Sequence, residues 1–246
     1  KVFQRAITVL KNEKQILPLE ATDKYGYLSL GSGSGIHFKN KIKLYAHFDE
    51  IINYDHKNII EKAKINKWKA IIVGWHPNSN SNNPFLNKKF SKKDIKLLKK
   101  VSSKIPIVIN VFDNPYCVYD IEKIKNIKGI MISYQNNEIA QKVSANSIFG
   151  INKIEGKIPV RAGDNYPFGS GIEISSRKVL GYSEPAFEGF DISKLNKIDY
   201  LANAAIDSLM TPGIQILVSR NGNIIYKKNF GYHTYDKLKK VTDSSI

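Results

Sequence analysis

The chain has 246 residues, 42% hydrophobic and 11% aromatic, which supports a buried core in one large domain or two small ones and excludes a disordered chain. Its formal charge is +16, but only four of its 38 basic residues are arginine (Arg5, Arg161, Arg177 and Arg220), so the excess speaks for solubility and diffuse attraction, and no specific nucleic-acid partner is expected. The single cysteine, Cys117, excludes a disulfide framework and a cysteine-rich metal site, and no run of about 18 apolar residues would form a membrane-spanning helix.

In chain order, Val2, Ala6, Val9 and Leu10 predict an opening helix that stops at Leu17-Pro18-Leu19. Strands are predicted at Tyr25 to Leu30 and Lys43 to Phe48, a helix at Asn58 to Lys67, and a strand at Lys69 to Gly74. A helix follows from Ser91, a ready N-cap, to Val101, then a strand at Pro106 to Phe112, another at Ile127 to Tyr134, and a helix at Glu138 to Ile148. Continuous runs such as Ala70-Ile-Ile-Val and Ile107-Val-Ile have no polar face, so their strands must be covered on both sides. The fold class is therefore α/β, a mostly parallel sheet sandwiched by helices. From Ile158 to Gly189 no period is sustained, and the prolines and glycines suggest a tail wrapping its own domain, then a linker. Beyond Asp191, an amphipathic helix through Leu209 and a hairpin around Asn221-Gly222 begin a second, α+β unit. A helix and a two-stranded hairpin cannot bury a core unaided, so this unit reads as incomplete. The expected organisation is a domain over residues 1–172, a linker over 173–190 and the start of a second domain over 191–246. Because the chain opens with Lys1 inside an amphipathic pattern, it reads as an interior piece of a longer polypeptide.

Chemistry-bearing motifs are sparse. Gly31-Ser-Gly33-Ser-Gly35 follows a strand, but what comes next does not promise a helix, so a ligand-facing loop is expected in preference to a phosphate cradle. His37, His47, His56, His76 and His233 never pair at i+3 or i+4, and no metal or cofactor is expected. Glycosidic chemistry would need two carboxylates, and Asp49, Glu50, Asp55, Asp113 and Asp120 lie near predicted strand ends. Asp113 is the best placed, though Asp-Asn-Pro is also a common turn starter. Candidate ligand-facing residues are Gly33, Ser34, His76 and Asp113, with the loop from His76 to Pro84. Ser175-Ser-Arg-Lys178 has the Ser-x-x-Lys spacing but neither a strand before it nor an apolar helix after it, and is read as chance. Cys117 is expected to be a small buried hydrophobe.

Two stretches carry a family resemblance. Ala6-Ile-Thr-Val-Leu-Lys-Asn-Glu-Lys-Gln-Ile-Leu-Pro-Leu resembles the opening of the C-terminal α/β sandwich of family 3 glycoside hydrolases, and Gly156-Lys-Ile-Pro-Val resembles its closing motif. Arg161 departs from the Ser or Thr usual there. The segment from Pro212 to Tyr232 is similar to the first hairpin of the serine β-lactamase and penicillin-binding-protein fold, and Val241-Thr-Asp-Ser-Ser-Ile stands where that fold leads into its Ser-x-x-Lys helix. The resemblance implies a fragment of a bacterial exo-acting glycosidase, of β-N-acetylhexosaminidase or β-glucosidase type, acting on carbohydrate in the periplasm or cell envelope. It also implies that both catalytic centres lie elsewhere in the polypeptide: an N-terminal (β/α)8 barrel, partner to residues 1–172, and the serine site of the second domain. No residue of this chain is then expected to be catalytic. The alternative is a non-catalytic carbohydrate or peptidoglycan binding module.

Overall fold

The computed structural model describes residues 2–52, 55–78, 89–177 and 180–245, in two compact units, 1–177 and 178–246. Unit 1 holds a six-stranded sheet of β1 (Thr8–Asn12), β2 (Lys24–Leu30), β3 (His47–Glu50), β4 (Ala70–Trp75), β5 (Ile107–Val111) and β6 (Ile127–Ile132). The spatial order is β1-β6-β5-β4-β2-β3, with only β1 antiparallel. Every residue of β4 and β5 is buried, as strands covered on both faces require. Alternate residues feed two cores. Ile71, Val73, Ile107 and Ile109 face α3 (His56–Ile65) and α4 (Lys92–Ser102), while Ala70, Ile72 and Val108 face α2 (Ile36–Ile42) and α5 (Glu138–Ile148).

The first helix is shorter than its pattern suggests: α1 covers only Val2–Ala6. Thr8, Val9 and Leu10 leave it because all three are buried on the sheet edge, pairing with β6, and that burial outweighs continuation of the helical period. The expected strand at Lys43 to Phe48 is likewise displaced to His47–Glu50, because Phe38 and Ile42, four residues apart and fully buried, hold the preceding residues in α2. The closing segment returns to the opening one. Gly156 lies so close to the Ala6 and Ile7 carbonyls that a Cβ would meet them, Val9 bridges Ile172, and Ile154 bridges Ile174. Asn12 ties the start together as well, its side chain accepting the Leu17 N–H (2.8 Å) and donating to the Leu17 carbonyl (3.0 Å).

Unit 2 contains α6 (Ile192–Asp207), capped by Asp191, and a three-stranded sheet of β7 (Gly181–Tyr182), β8 (Gly213–Arg220) and β9 (Asn223–Gly231) in the order β7-β9-β8. Asn221 and Gly222, at φ 52° and 77°, form the two-residue turn that matches the twist of the β8–β9 hairpin. Tyr226 and Lys228 on β9 both bond the Asp199 carboxylate of α6, at 2.6 Å each, which fastens helix to sheet.

Candidate functional site

In an open parallel sheet the strand C-termini are where loops converge, and here four of them meet over His76. β4 ends at Trp75, so His76 emerges on the α2/α5 side with no exposed surface. Its N–H donates to the Leu30 carbonyl of β2 (2.8 Å), and its own carbonyl accepts the Gly33 N–H (2.7 Å). The glycine run is therefore folded back onto His76. A Cβ at Gly31 would overlap the His76 carbonyl, and one at Gly35 or Gly74 would overlap the imidazole, so only hydrogen fits at these three positions.

The ring stacks on Phe112 at 4.4 Å between centroids, and Phe38 meets Phe112 edge-on at 5.1 Å. Asn136, in the loop after β6, accepts from Nδ1 at 2.9 Å, which places the proton of the neutral ring on Nδ1 and leaves Nε2 facing the Tyr27 hydroxyl at 3.5 Å. Gln141 of α5 donates to Asn136 Oδ1 (2.7 Å) and to the Ser34 carbonyl (2.8 Å) and accepts the Phe38 N–H (2.9 Å). Loss of water outweighs the Asn136 hydrogen bond and pulls the imidazole down to about 4, so His76 is uncharged at neutral pH. Deeper on the same face, Ser133 donates to Asn110 Oδ1 (2.8 Å) and shares a 2.5 Å contact with Ser144.

Of the sequence-derived candidates, Gly33, Ser34 and His76 thus come together, the first two through their backbones. Asp113, past the end of β5, accepts the Asn114 N–H at 2.8 Å, and Asn114 in turn caps the following 3₁₀ turn, Pro115–Asp120. The loop beyond Asn78 as far as Pro84, and Lys178 of the Ser-x-x-Lys match, lie outside the described residues. The Gly31–Gly35 run does open a helix, α2, contrary to expectation, but that helix is held by packing of Phe38 and Ile42 without a side-chain cap. The remaining carboxylates are engaged locally: Asp49 by Asn66 and Trp68 (2.8 and 2.6 Å), Glu50 by Lys39 (2.8 Å), Asp55 by the first turn of α3, and Asp120 by the Phe90 N–H (3.1 Å). Among the described residues, no group of three or more His, Cys, Asp or Glu side chains is placed to hold a metal ion. Cys117 is buried as expected, its Sγ donating to the Asn114 carbonyl.

The partners that sequence reasoning did not single out are Tyr27, Asn136 and Gln141. Gln141 offered a signal, a long polar side chain on the apolar side of a predicted helix, since such a residue must find a buried partner. Chemically, the cluster is a set of neutral donors and acceptors that bond one another and lock four strand ends.

No family model matches the sequence, and no curated protein matches it. Solved structures do match by fold. A β-glucoside phosphorylase, BglX, bound to 2FGlc aligns at TM-score 0.52 and 18% identity over 65% of this chain and 30% of its own. A mutant β-glucosidase from Listeria innocua in complex with laminaribiose aligns at 0.51 and 14% identity over 63% of this chain and 25% of its own. A fungal multi-domain family 3 β-N-acetylglucosaminidase aligns at 0.50 and 16% identity over 87% of this chain and 23% of its own. The chain thus spans less than a third of the length of these proteins. The likeness is one of fold, an α/β architecture with a mostly parallel six-stranded sheet and flanking helices.

Proposed function

We propose that the chain is part of an exo-acting glycoside hydrolase, of β-N-acetylhexosaminidase or β-glucosidase type, in which unit 1 is a non-catalytic α/β sandwich beside a (β/α)8 barrel elsewhere in the polypeptide. The observation that carries this reading is the meeting of the two resemblance motifs: the stretch around Ala6 and Ile7 packs on Gly156, so the residues that resemble the opening and closing of the family domain touch in space. The engagement of every candidate carboxylate by a local donor supports a supporting role, because hydrolysis needs an acid and a nucleophile free to face the sugar. In the same proposal, residues 191–246 start a serine β-lactamase-like domain, the substrate is carbohydrate, and the protein works in the periplasm or cell envelope. Among the described residues, no helix is long and apolar enough to cross a membrane.

Hydrolysis of aryl N-acetylglucosaminide and aryl glucoside by the full polypeptide, and by this chain alone, tests the proposal. Activity in the polypeptide and none in the chain is the expected result. An inactive polypeptide that still retains peptidoglycan or oligosaccharide would overturn it in favour of a binding module.

A further inference from the structure

The positive charge of this protein is concentrated in one stretch. Residues 56–104 hold 13 of the 38 basic residues and 2 of the 22 acidic ones, a net +11 of the total +16, and the other 197 residues are close to balanced at 25 basic and 20 acidic. In the fold this stretch supplies α3 and α4, which pack side by side on the sheet through Ile59, Ala63, Leu97, Leu98 and Val101 and turn their lysines outward. Lys57, Lys62 and Lys64 on α3 and Lys96, Lys99 and Lys100 on α4 are all exposed. Among the described residues, none of these six has an acidic partner, whereas elsewhere in unit 1 lysines pair repeatedly, as in Lys39–Glu50, Lys123–Asp164, Lys142–Glu138 and Lys153–Glu155.

Helix stability accounts for only part of this. Lysines in the last turn complement the helix dipole, which covers Lys62, Lys64, Lys99 and Lys100. It does not cover Lys92 in α4's opening turn, where the dipole disfavours cations, nor the scarcity of acid in the stretch, where only Glu61 and Asp94 stand against 13 basic residues. Unneutralised charge on one face repels itself, so it makes sense as a surface for an anionic partner.

We propose that the α3/α4 face docks the protein on an anionic lipid bilayer. The residue types favour that partner over a nucleic acid. The stretch has no arginine to fork onto phosphates or bases, and its described aromatic residues, Trp68, Trp75 and Phe90, are buried and offer no stacking platform. Lysine point charges on a two-helix face suit a diffuse, planar field. Ile65, between Lys64 and Lys67, is 69% exposed and gives the face an apolar contact for the headgroup boundary. At the C-terminal end of α4, a concavity of about 510 Å³ lined in part by Lys99, Ser103 and Lys125 extends the basic surface. This inference rests on unit 1 alone and does not depend on the glycosidase reading.

Co-sedimentation of the 246-residue chain with vesicles tests it. Retention is expected on phosphatidylcholine vesicles containing about one third phosphatidylglycerol at ~50 mM salt, none on phosphatidylcholine alone, and release at ~0.5 M salt. The quadruple change Lys62→Gln, Lys64→Gln, Lys99→Gln and Lys100→Gln should weaken partitioning at least tenfold, since each lysine near such a surface contributes about fivefold. Lys194→Gln with Lys237→Gln, Lys239→Gln and Lys240→Gln removes the same charge from unit 2 and should leave partitioning within about twofold, so equal losses in the two variants would mean that net charge and not this face is responsible. Failure of the unaltered chain to bind anionic vesicles overturns the proposal, as does tighter retention on random duplex DNA at the same salt.

Discussion

An imidazole with no exposed surface makes the folded protein sensitive to acid. His76 is held down to about 4 against an ordinary 6.5, so between those values the unfolded chain takes up a proton that the folded one refuses. Stability therefore falls as the pH drops through 6.5 toward 4 and levels off below, by roughly 3 kcal/mol in all. His76→Gln abolishes this titration. Urea melts at neutral pH and at about pH 4.5 should show the variant losing at least 1 kcal/mol less than the parent on acidification, and equal losses would assign the acid sensitivity to other groups. The glycines above it allow a sharper test. Gly31 and Gly169 both sit at positive φ, 88° and 80°, but a Cβ at Gly169 meets nothing while one at Gly31 strikes the His76 carbonyl. That carbonyl is backbone and is already bonded to Gly33, so it cannot step aside. Gly169→Ala should cost about 1 kcal/mol from backbone strain alone, and Gly31→Ala at least ~3 kcal/mol in denaturant melts; similar costs would show that the loop is not closed over His76.

At the scale of elements, β5 is the strand on which both cores depend. Ile109 is fully buried between β4 and β6 on the α3/α4 side, so Ile109→Ala should open a cavity and cost about 2–5 kcal/mol, and a loss below ~0.5 kcal/mol would move the strand to the surface. That strand was legible because a run with no polar alternation has only one comfortable environment. Apolar runs located β2, β4 and β6, and helical period located α3, α4 and α5, to within a residue or two, Ser91 capping α4 through the Asp94 N–H as its position implied. It failed where local pattern and distant partner disagreed. Thr8 to Leu10 continue a helical period but are claimed by β6 more than a hundred residues away, and Ile36 to Ile42 show too short a period to announce α2, which tertiary burial of Phe38 and Ile42 stabilises. The His76 cluster was half legible for the same reason. Glycines at alternate positions advertise a tight backbone approach, but what they approach lies some forty residues further on, and Asn136 and Gln141 further still.

At the scale of the whole chain, the two units differ in how much they bury. Unit 1 contains both core clusters, whereas the buried hydrophobic residues of unit 2 are confined, among the described residues, to Leu195, Ala202, Ile224, Ile225 and Tyr226, with Gly181 the one other buried position. Tyr200, Leu201, Leu209, Met210 and Leu238 remain exposed, and β8 is an edge strand whose outer side pairs with nothing described. A unit of this size with so little buried apolar surface has little to set against the entropy of ordering its chain, and an unpaired edge invites further pairing. Limited digestion with thermolysin, read by mass, should therefore remove residues from about 178 onward first and leave unit 1, ending near Arg177, as the more persistent species. The released unit 2 should bind an apolar dye and lack a cooperative melt. Persistence of an intact 191–246 fragment with a sharp thermal transition would show that those residues are self-sufficient, and the view of them as the opening of a larger β-lactamase-like domain would have to be given up.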